Sequence, residues 1–228
     1  MSRFWKKAIA ILLMGVSAGC GNSQDEPNPV TVMGVSYGAS AVAPAENMKT
    51  MWVACQVTLV DDPLDALGGL VRPGDGISGC VVYDETRPDE KKPANDGKYT
   101  FDEAPNRFDF DCNGLKFASD PASVDMEMRI RNRTPDSYWV NSKDNLDVLP
   151  GVGTREIRIT LEDDSGTAVA SDTLLGLLFR LEDWPTSAEM TISGDDGWQI
   201  TAQVVSIPDD MFEESEAGTR KMHFRSDP

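Results

Sequence analysis

Histidine is almost missing from this sequence, with His223 the only one in 228 residues. One imidazole, and cysteines without C-x-x-C spacing, leave no basis for the usual tetrahedral zinc sets. Basic residues are scarce too, 21 against 38 acidic ones, for a formal charge of −17. That balance argues against nucleic acid and against adsorption to an anionic lipid surface, because both present phosphates that a strongly acidic chain repels. Beyond the N-terminus no apolar run reaches membrane-spanning length. No Gly-rich phosphate loop occurs, nor any basic stretch interleaved with aromatics, so nucleotide and RNA signatures are lacking.

What is present begins with MSRFWKKAIAILLMGVSAGC. Arg3, Lys6 and Lys7 precede a nine-residue apolar run from Ala8 to Val16, followed by small residues and Cys20. The run is too short to span a bilayer and has the layout of a signal peptide over 1–19. The order basic, apolar, small, Cys resembles a bacterial lipoprotein signal, with Ser17 where that family usually carries Leu. The resemblance implies that Cys20 is lipidated, and Gly21 in place of Asp implies sorting to the outer membrane, facing the periplasm or the cell surface. Residues 20–30 are polar and contain Pro27 and Pro29, as a tether should. Loss of the three signal cations leaves 18 basic and 38 acidic residues, a mature charge of −20.

Cys55, Cys80 and Cys112 remain, an odd number for an oxidising compartment. One disulfide and one buried thiol is the simplest expectation. Cys80 with Cys112 is the favoured pair, since it would close the charged stretch DETRPDEKKPANDGKY, which has little apolar surface of its own.

Period two dominates the rest. Val124, Met126, Met128 and Ile130 alternate with polar residues, as do Ile157, Ile159 and Leu161, then Trp198, Ile200, Ala202 and Val204. Met51, Val53, Cys55, Val57 and Leu59 repeat the pattern earlier. Turn clusters such as VDDP, RPGDG, EDDSG and SGDDG separate the runs. The expected fold is all-β: an antiparallel β-sandwich, or two immunoglobulin-like sandwiches, with at most one short helix. The cysteines lie before residue 120 and the clean alternation after it, which suggests β-domains at 31–120 and 121–228. A single larger sandwich over 31–228 is the alternative. The exception to period two is SDTLLGLLFRLEDWP, where Leu174, Leu177, Leu178 and Leu181 fall at helical spacing between Ser171 or Asp172 as N-cap and Pro185 as stop.

Two motifs could carry chemistry. RFDFDCNGLKFASD offers Asp109, Asp111, Asn113 and Asp120 at calcium-loop positions, but Phe117 falls at the ninth position, where a polar ligand is wanted, and Lys116 would sit beside the ion. The same residues make a β-hairpin turning at Asn113-Gly114, with Cys112 facing Leu115, Phe110 facing Phe117, and Asp111 beside Lys116. The hairpin accounts for every residue and the calcium loop for four. Gly34-Val35-Ser36-Tyr37-Gly38 matches the nucleophile-elbow pattern with His223 downstream, but no strands precede Ser36 to raise it above a sheet. The acid pairs Asp61-Asp62, Asp163-Asp164, Asp195-Asp196 and Asp209-Asp210 fit solvated turns.

No catalytic set and no cofactor is expected. The leading expectation is a non-enzymatic, membrane-anchored binding or assembly module engaging another envelope protein, possibly through a free strand edge. An immunity or inhibitor lipoprotein that neutralises a basic enzyme or toxin is the second class. A calcium- or glycan-binding module, using acidic turns and Trp52, Trp139 or Trp198, is the third.

Overall fold

The structure is a computed structural model that describes residues 47–91, 95–177 and 179–208. Ten strands run antiparallel in one sheet: β1 Met48–Asp61, β2 Gly76–Asp84, β3 Asp96–Phe101, β4 Arg107–Cys112, β5 Leu115–Ala118, β6 Met126–Arg131, β7 Asp136–Ser142, β8 Thr154–Asp163, β9 Ser187–Gly194 and β10 Gln199–Ser206. Their spatial order is β3-β6-β7-β8-β9-β10-β1-β2-β4-β5. Residue 120 is no break in this sheet, because β3 hydrogen-bonds to β6 and β1 to β10 across it. In place of two separate sandwiches, the strands share one surface.

That surface is curled into a half-barrel, and its concave face holds the core. Tyr83 of β2 meets the ring of Phe101 on β3 at 6.4 Å, although six strands separate them in the sheet order. Phe117 of β5 reaches Trp198 beside β10 at 6.3 Å. Period two puts the expected residues on that face: Met126, Met128 and Ile130, then Ile157, Ile159 and Leu161, then Ile200, Ala202 and Val204 are buried. Each such aliphatic or aromatic side chain contributes roughly 1.5–3 kcal/mol by leaving water. Leu59 departs from the expectation, being 55% exposed. A register shift between Val57 and Leu59 inserts a bulge, which reverses the alternation so that Val60 packs on the core instead.

The hairpin has the expected register: Cys112 faces Leu115, Asp111 faces Lys116 and Phe110 faces Phe117. Asn113 adopts φ 55° and Gly114 φ 86°, the left-handed pair that a two-residue turn requires.

The cysteines do not bridge. Cys55, Cys80 and Cys112 are free and buried. Cys80 pairs with Asp109 in the β2–β4 register, so it shares the convex face with Asp109, whereas Cys112, three residues further along β4, points into the core. The two thiols therefore lie on opposite faces of the sheet, which the short Cα separation of a disulfide does not tolerate. Cys55 shares the core with Cys112, but pairs with Ile77 of β2, so a whole strand stands between them.

The helix expected after Ser171 is absent. Leu174–Leu177 form a turn with Gly176 at φ 73°, and the only helical residues described there are a 3-10 turn at Leu181–Asp183. Gly176 interrupts the ladder, and the Asp172 carboxylate accepts from Asp96 N at 3.1 Å instead of capping a helix. Leu174, Phe179 and Trp184 are buried over one side of the core, where Tyr138 lies 4.4 Å from Phe179. Among the described residues no helix is long and apolar enough to cross a membrane.

Both sheet edges are partly covered. On β3, Lys98 O accepts from Glu90 N at 2.9 Å and Lys98 N donates to Asp89 Oδ1 at 2.8 Å. On β5, Ala118 O accepts from Leu146 N at 2.9 Å. Loops thus occupy groups that an added strand would need.

Candidate functional site

An open groove of about 910 Å³ lies at one end of the half-barrel. Its walls come from three connections and the start of one strand: Asp120, Ser123 and Asp125 between β5 and β6, Lys143, Asp144 and Asn145 between β7 and β8, Thr154, Arg155, Glu156 and Arg158 on β8, and Asp195 in the β9–β10 turn. Main-chain bonds lock the first two connections together: Asp120 N donates to Asp144 O at 3.0 Å, and Lys143 N to Asp125 O at 2.9 Å. Ser123 Oγ adds a bond to Asp144 Oδ2 at 2.7 Å. Gly153 lets the third connection close in, since a Cβ there would collide with the Asp195 carboxylate.

Five carboxylates, Asp120, Asp125, Asp144, Glu156 and Asp195, stand against Lys143, Arg155 and Arg158. Glu156 is the most tightly held. Burial raises its carboxyl, but hydrogen bonds from Asn141 Nδ2 and Arg158 NH2, both at 2.8 Å, together with the charges of Arg158 and Lys143, hold it below the ordinary glutamate value. Arg158 also lies 5.6 Å from the Trp139 ring, which fixes its stem across the sheet.

Two polar groups here are buried without a partner. Thr154, 3% exposed, lines the groove with Oγ1 unpaired, and Asn141, 2% exposed, leaves Oδ1 unpaired behind Glu156. Orphaned groups of this kind cost roughly 1–3 kcal/mol each, and most buried polar atoms avoid the cost. The lining holds no thiol and no imidazole, and Ser123 Oγ donates to the Asp144 carboxylate.

The calcium-loop residues do not converge. Asp109 and Asp111 lie 3.9 and 3.7 Å from Lys116 Nζ, Asp111 also accepts from Gly114 N, and Asn113 Nδ2 donates to Leu70 O and Asp75 Oδ2. Asp120 alone joins the groove, where its Oδ1 accepts from Ala122 N. Among the described residues, no group of three or more His, Cys, Asp or Glu is placed to hold a metal ion. Trp198 is core, while Trp52 and Trp139 are half-buried. Cys20, Ser36 and His223 lie outside the described residues.

The acid pairs hold a correction. Asp163, expected in a solvated turn, is buried, and it accepts from Ser165 N at 2.9 Å, Ser165 Oγ at 2.7 Å and Thr167 N at 2.8 Å. Backbone and side-chain donors from Thr167 and Ser165 pull its carboxyl down to about 2. It organises a loop instead of decorating one.

The groove itself is not visible in the sequence, because its residues come from four segments spread over 75 positions between Asp120 and Asp195. The local signal, polar turns such as NSKDN and GVGTRE, is that of any loop.

No family model matches this chain, and neither the curated proteins nor the solved structures contain a match to it.

Proposed function

We propose that this protein is a non-enzymatic binding module of the bacterial envelope, tethered to the outer membrane through Cys20, whose groove receives a basic segment of another envelope protein. The observation that carries the reading is the groove's acid excess combined with its buried, unpartnered Thr154 hydroxyl. A cationic segment would neutralise Asp125, Asp144 and Asp195, and its main chain could supply the bond that Thr154 lacks. The mature charge of −20 would steer such a partner from a distance, with an on-rate that falls as salt screens the field. The covered edges of β3 and β5 favour the groove over strand addition.

The test is recovery of the native protein from mildly solubilised membranes after brief in-cell crosslinking, beside Cys20→Ala and Asp125→Asn/Asp195→Asn variants. Among the described residues neither substituted aspartate accepts a side-chain hydrogen bond that shapes the loops, so the double variant changes charge with little change in fold. A basic partner recovered with the wild type, lost on Cys20→Ala and weakened in the double variant, supports the reading. Equal recovery with all three proteins contradicts it. A partner enzyme whose activity falls on binding would mark the module as an inhibitor.

A further inference from the structure

On the convex face, four cations gather on one carboxylate. Asp96 accepts from Arg129 Nε at 2.8 Å and Arg129 NH2 at 2.9 Å, from Lys91 Nζ at 3.1 Å and from Arg133 NH2 at 3.3 Å. Three of these donors fall on Oδ2 and one on Oδ1. Arg131 is left out: its Nε stands 4.0 Å from Asp96 Oδ1, is buried and has no hydrogen-bond partner. The strand geometry explains the crowding, because Arg129 and Arg131 are alternate residues of β6 and so project to one side, with Arg133 just beyond the strand end. Asp96 sits opposite Arg131 in the β3–β6 register.

The neighbouring carboxylates are turned to other donors: Asp172 Oδ2 accepts from Asp96 N, Asp89 Oδ1 accepts from Lys91 N and Lys98 N, and Glu127 and Glu90 lie 3.4 and 4.0 Å from Lys98. Arg131 and Arg133 therefore present planar guanidinium groups, 38% and 53% exposed, with one side-chain hydrogen bond between them among the described residues. A guanidinium group is a planar donor array that matches the oxygens of a tetrahedral or planar oxyanion.

We infer that Arg131 and Arg133, held in place by the Asp96–Arg129 pair, form an oxyanion site selective for a phosphate group over a carboxylate. Asp96 acts as the hub that fixes the guanidinium planes, and the ligand supplies the acceptors that Arg131 and Arg133 lack. The doubly charged form of phosphate gains from both guanidinium groups and from Lys91, whereas a single carboxylate cannot bridge as many donors. The repulsion from the distant acidic surface is screened within about 8 Å at physiological ionic strength, so it opposes the short contacts weakly.

The test is titration of the full mature protein with inorganic phosphate at constant ionic strength, following the arginine Nε–H resonances by ¹H–¹⁵N NMR, with sodium acetate and sodium chloride as parallel probes. The expected result is a saturable shift confined to Arg129, Arg131 and Arg133, half-complete near ~1 mM phosphate. Acetate should need at least tenfold more. In Arg131→Gln/Arg133→Gln, which keeps the Asp96–Arg129 pair and so the fold, the midpoint should rise at least tenfold, and Arg133→Gln alone, at an exposed position, should fall between. A linear response equal to that of chloride, an acetate midpoint equal to that of phosphate, or an unchanged midpoint in the double variant would each overturn the proposal.

Discussion

Asp136 and Asp163 face each other across the β7–β8 register, and both are buried. Two opposed carboxylates would ordinarily destabilise a strand pair. Here each is turned to a different loop: Asp136 accepts from Arg133 N at 2.8 Å and Val169 N at 3.1 Å, while Asp163 gathers the donors of residues 165–168. The pair thus knits the connections on both sides of β7 and β8. Asp136→Ala would orphan two backbone N–H groups and is expected to cost about 2–4 kcal/mol, measured by urea unfolding. A loss below about 1 kcal/mol would mean that water replaces the carboxylate.

Acid should reveal Asp163. Its folded-state carboxyl lies at about 2, below the unfolded value of roughly 3.9, so its contribution is present above pH 4 and is lost as pH falls toward 2. Arg129 hydrogen bonds hold Asp96 below its ordinary value despite burial, and so act in the same direction. Thermal midpoints taken from pH 7 to pH 2 should drop most steeply below pH 4. Asp163→Asn should start lower at pH 7 and fall less steeply, the remaining slope coming chiefly from Asp96.

Three buried thiols give a chemical check on the fold. Burial pushes Cys55 up to about 12 and Cys80 to about 11, the latter helped by the charge of Asp109. Burial likewise raises Cys112 to about 12. At pH 8 the thiolate fraction of such groups is about one in a thousand or less, so alkylation by iodoacetamide should be negligible in the folded domain and complete at all three sites in denaturant. A Cys80–Cys112 bridge detected by mass would contradict the opposite-face placement.

Gly194 lies against the indole of Trp198, and its N–H donates to Trp198 O at 2.9 Å. A methyl group at Gly194 would collide with the ring around Nε1. Gly194→Ala is therefore expected to shift the tryptophan emission maximum and to destabilise the domain by about 1–3 kcal/mol, the usual cost of overpacking.

Legibility in the sequence follows physical range. The hairpin at Asn113-Gly114 and the inward residues of β6, β8 and β10 were readable because period-two burial and turn chemistry are local properties. Leu59 was misplaced because a bulge depends on the partner strand, β10. The leucines after Ser171 mimicked a helix because their spacing serves burial of Leu174 and Phe179 in an irregular segment, which leaves the same mark as one helical face. Asp163 read as a surface acid because the donors that bury it become visible only when residues 165–168 fold back. The groove and the Asp96 cluster lie one step further away, since each needs segments joined by sheet order. The arginines of RIRNR were in plain view, but their convergence on Asp96 depends on the β3–β6 pairing.

Thr154 separates stability from recognition. Its Oγ1 is buried and unpaired in the free protein, so Thr154→Val, nearly isosteric, should be neutral or stabilising by up to about 1 kcal/mol in urea unfolding. The same change should weaken capture of the groove's partner. Loss of stability without any effect on capture would remove Thr154 from the recognition surface.

Site-specific photocrosslinking in living cells tests the central claim most directly. A photoreactive residue would be placed in the groove at Lys143 and, as a control, at exposed Gln203 on the convex face. The account predicts a discrete adduct with a basic envelope protein from position 143, reduced when Asp125 and Asp195 are changed to Asn, and none from position 203. An adduct from position 203 alone, or none from position 143, would contradict it.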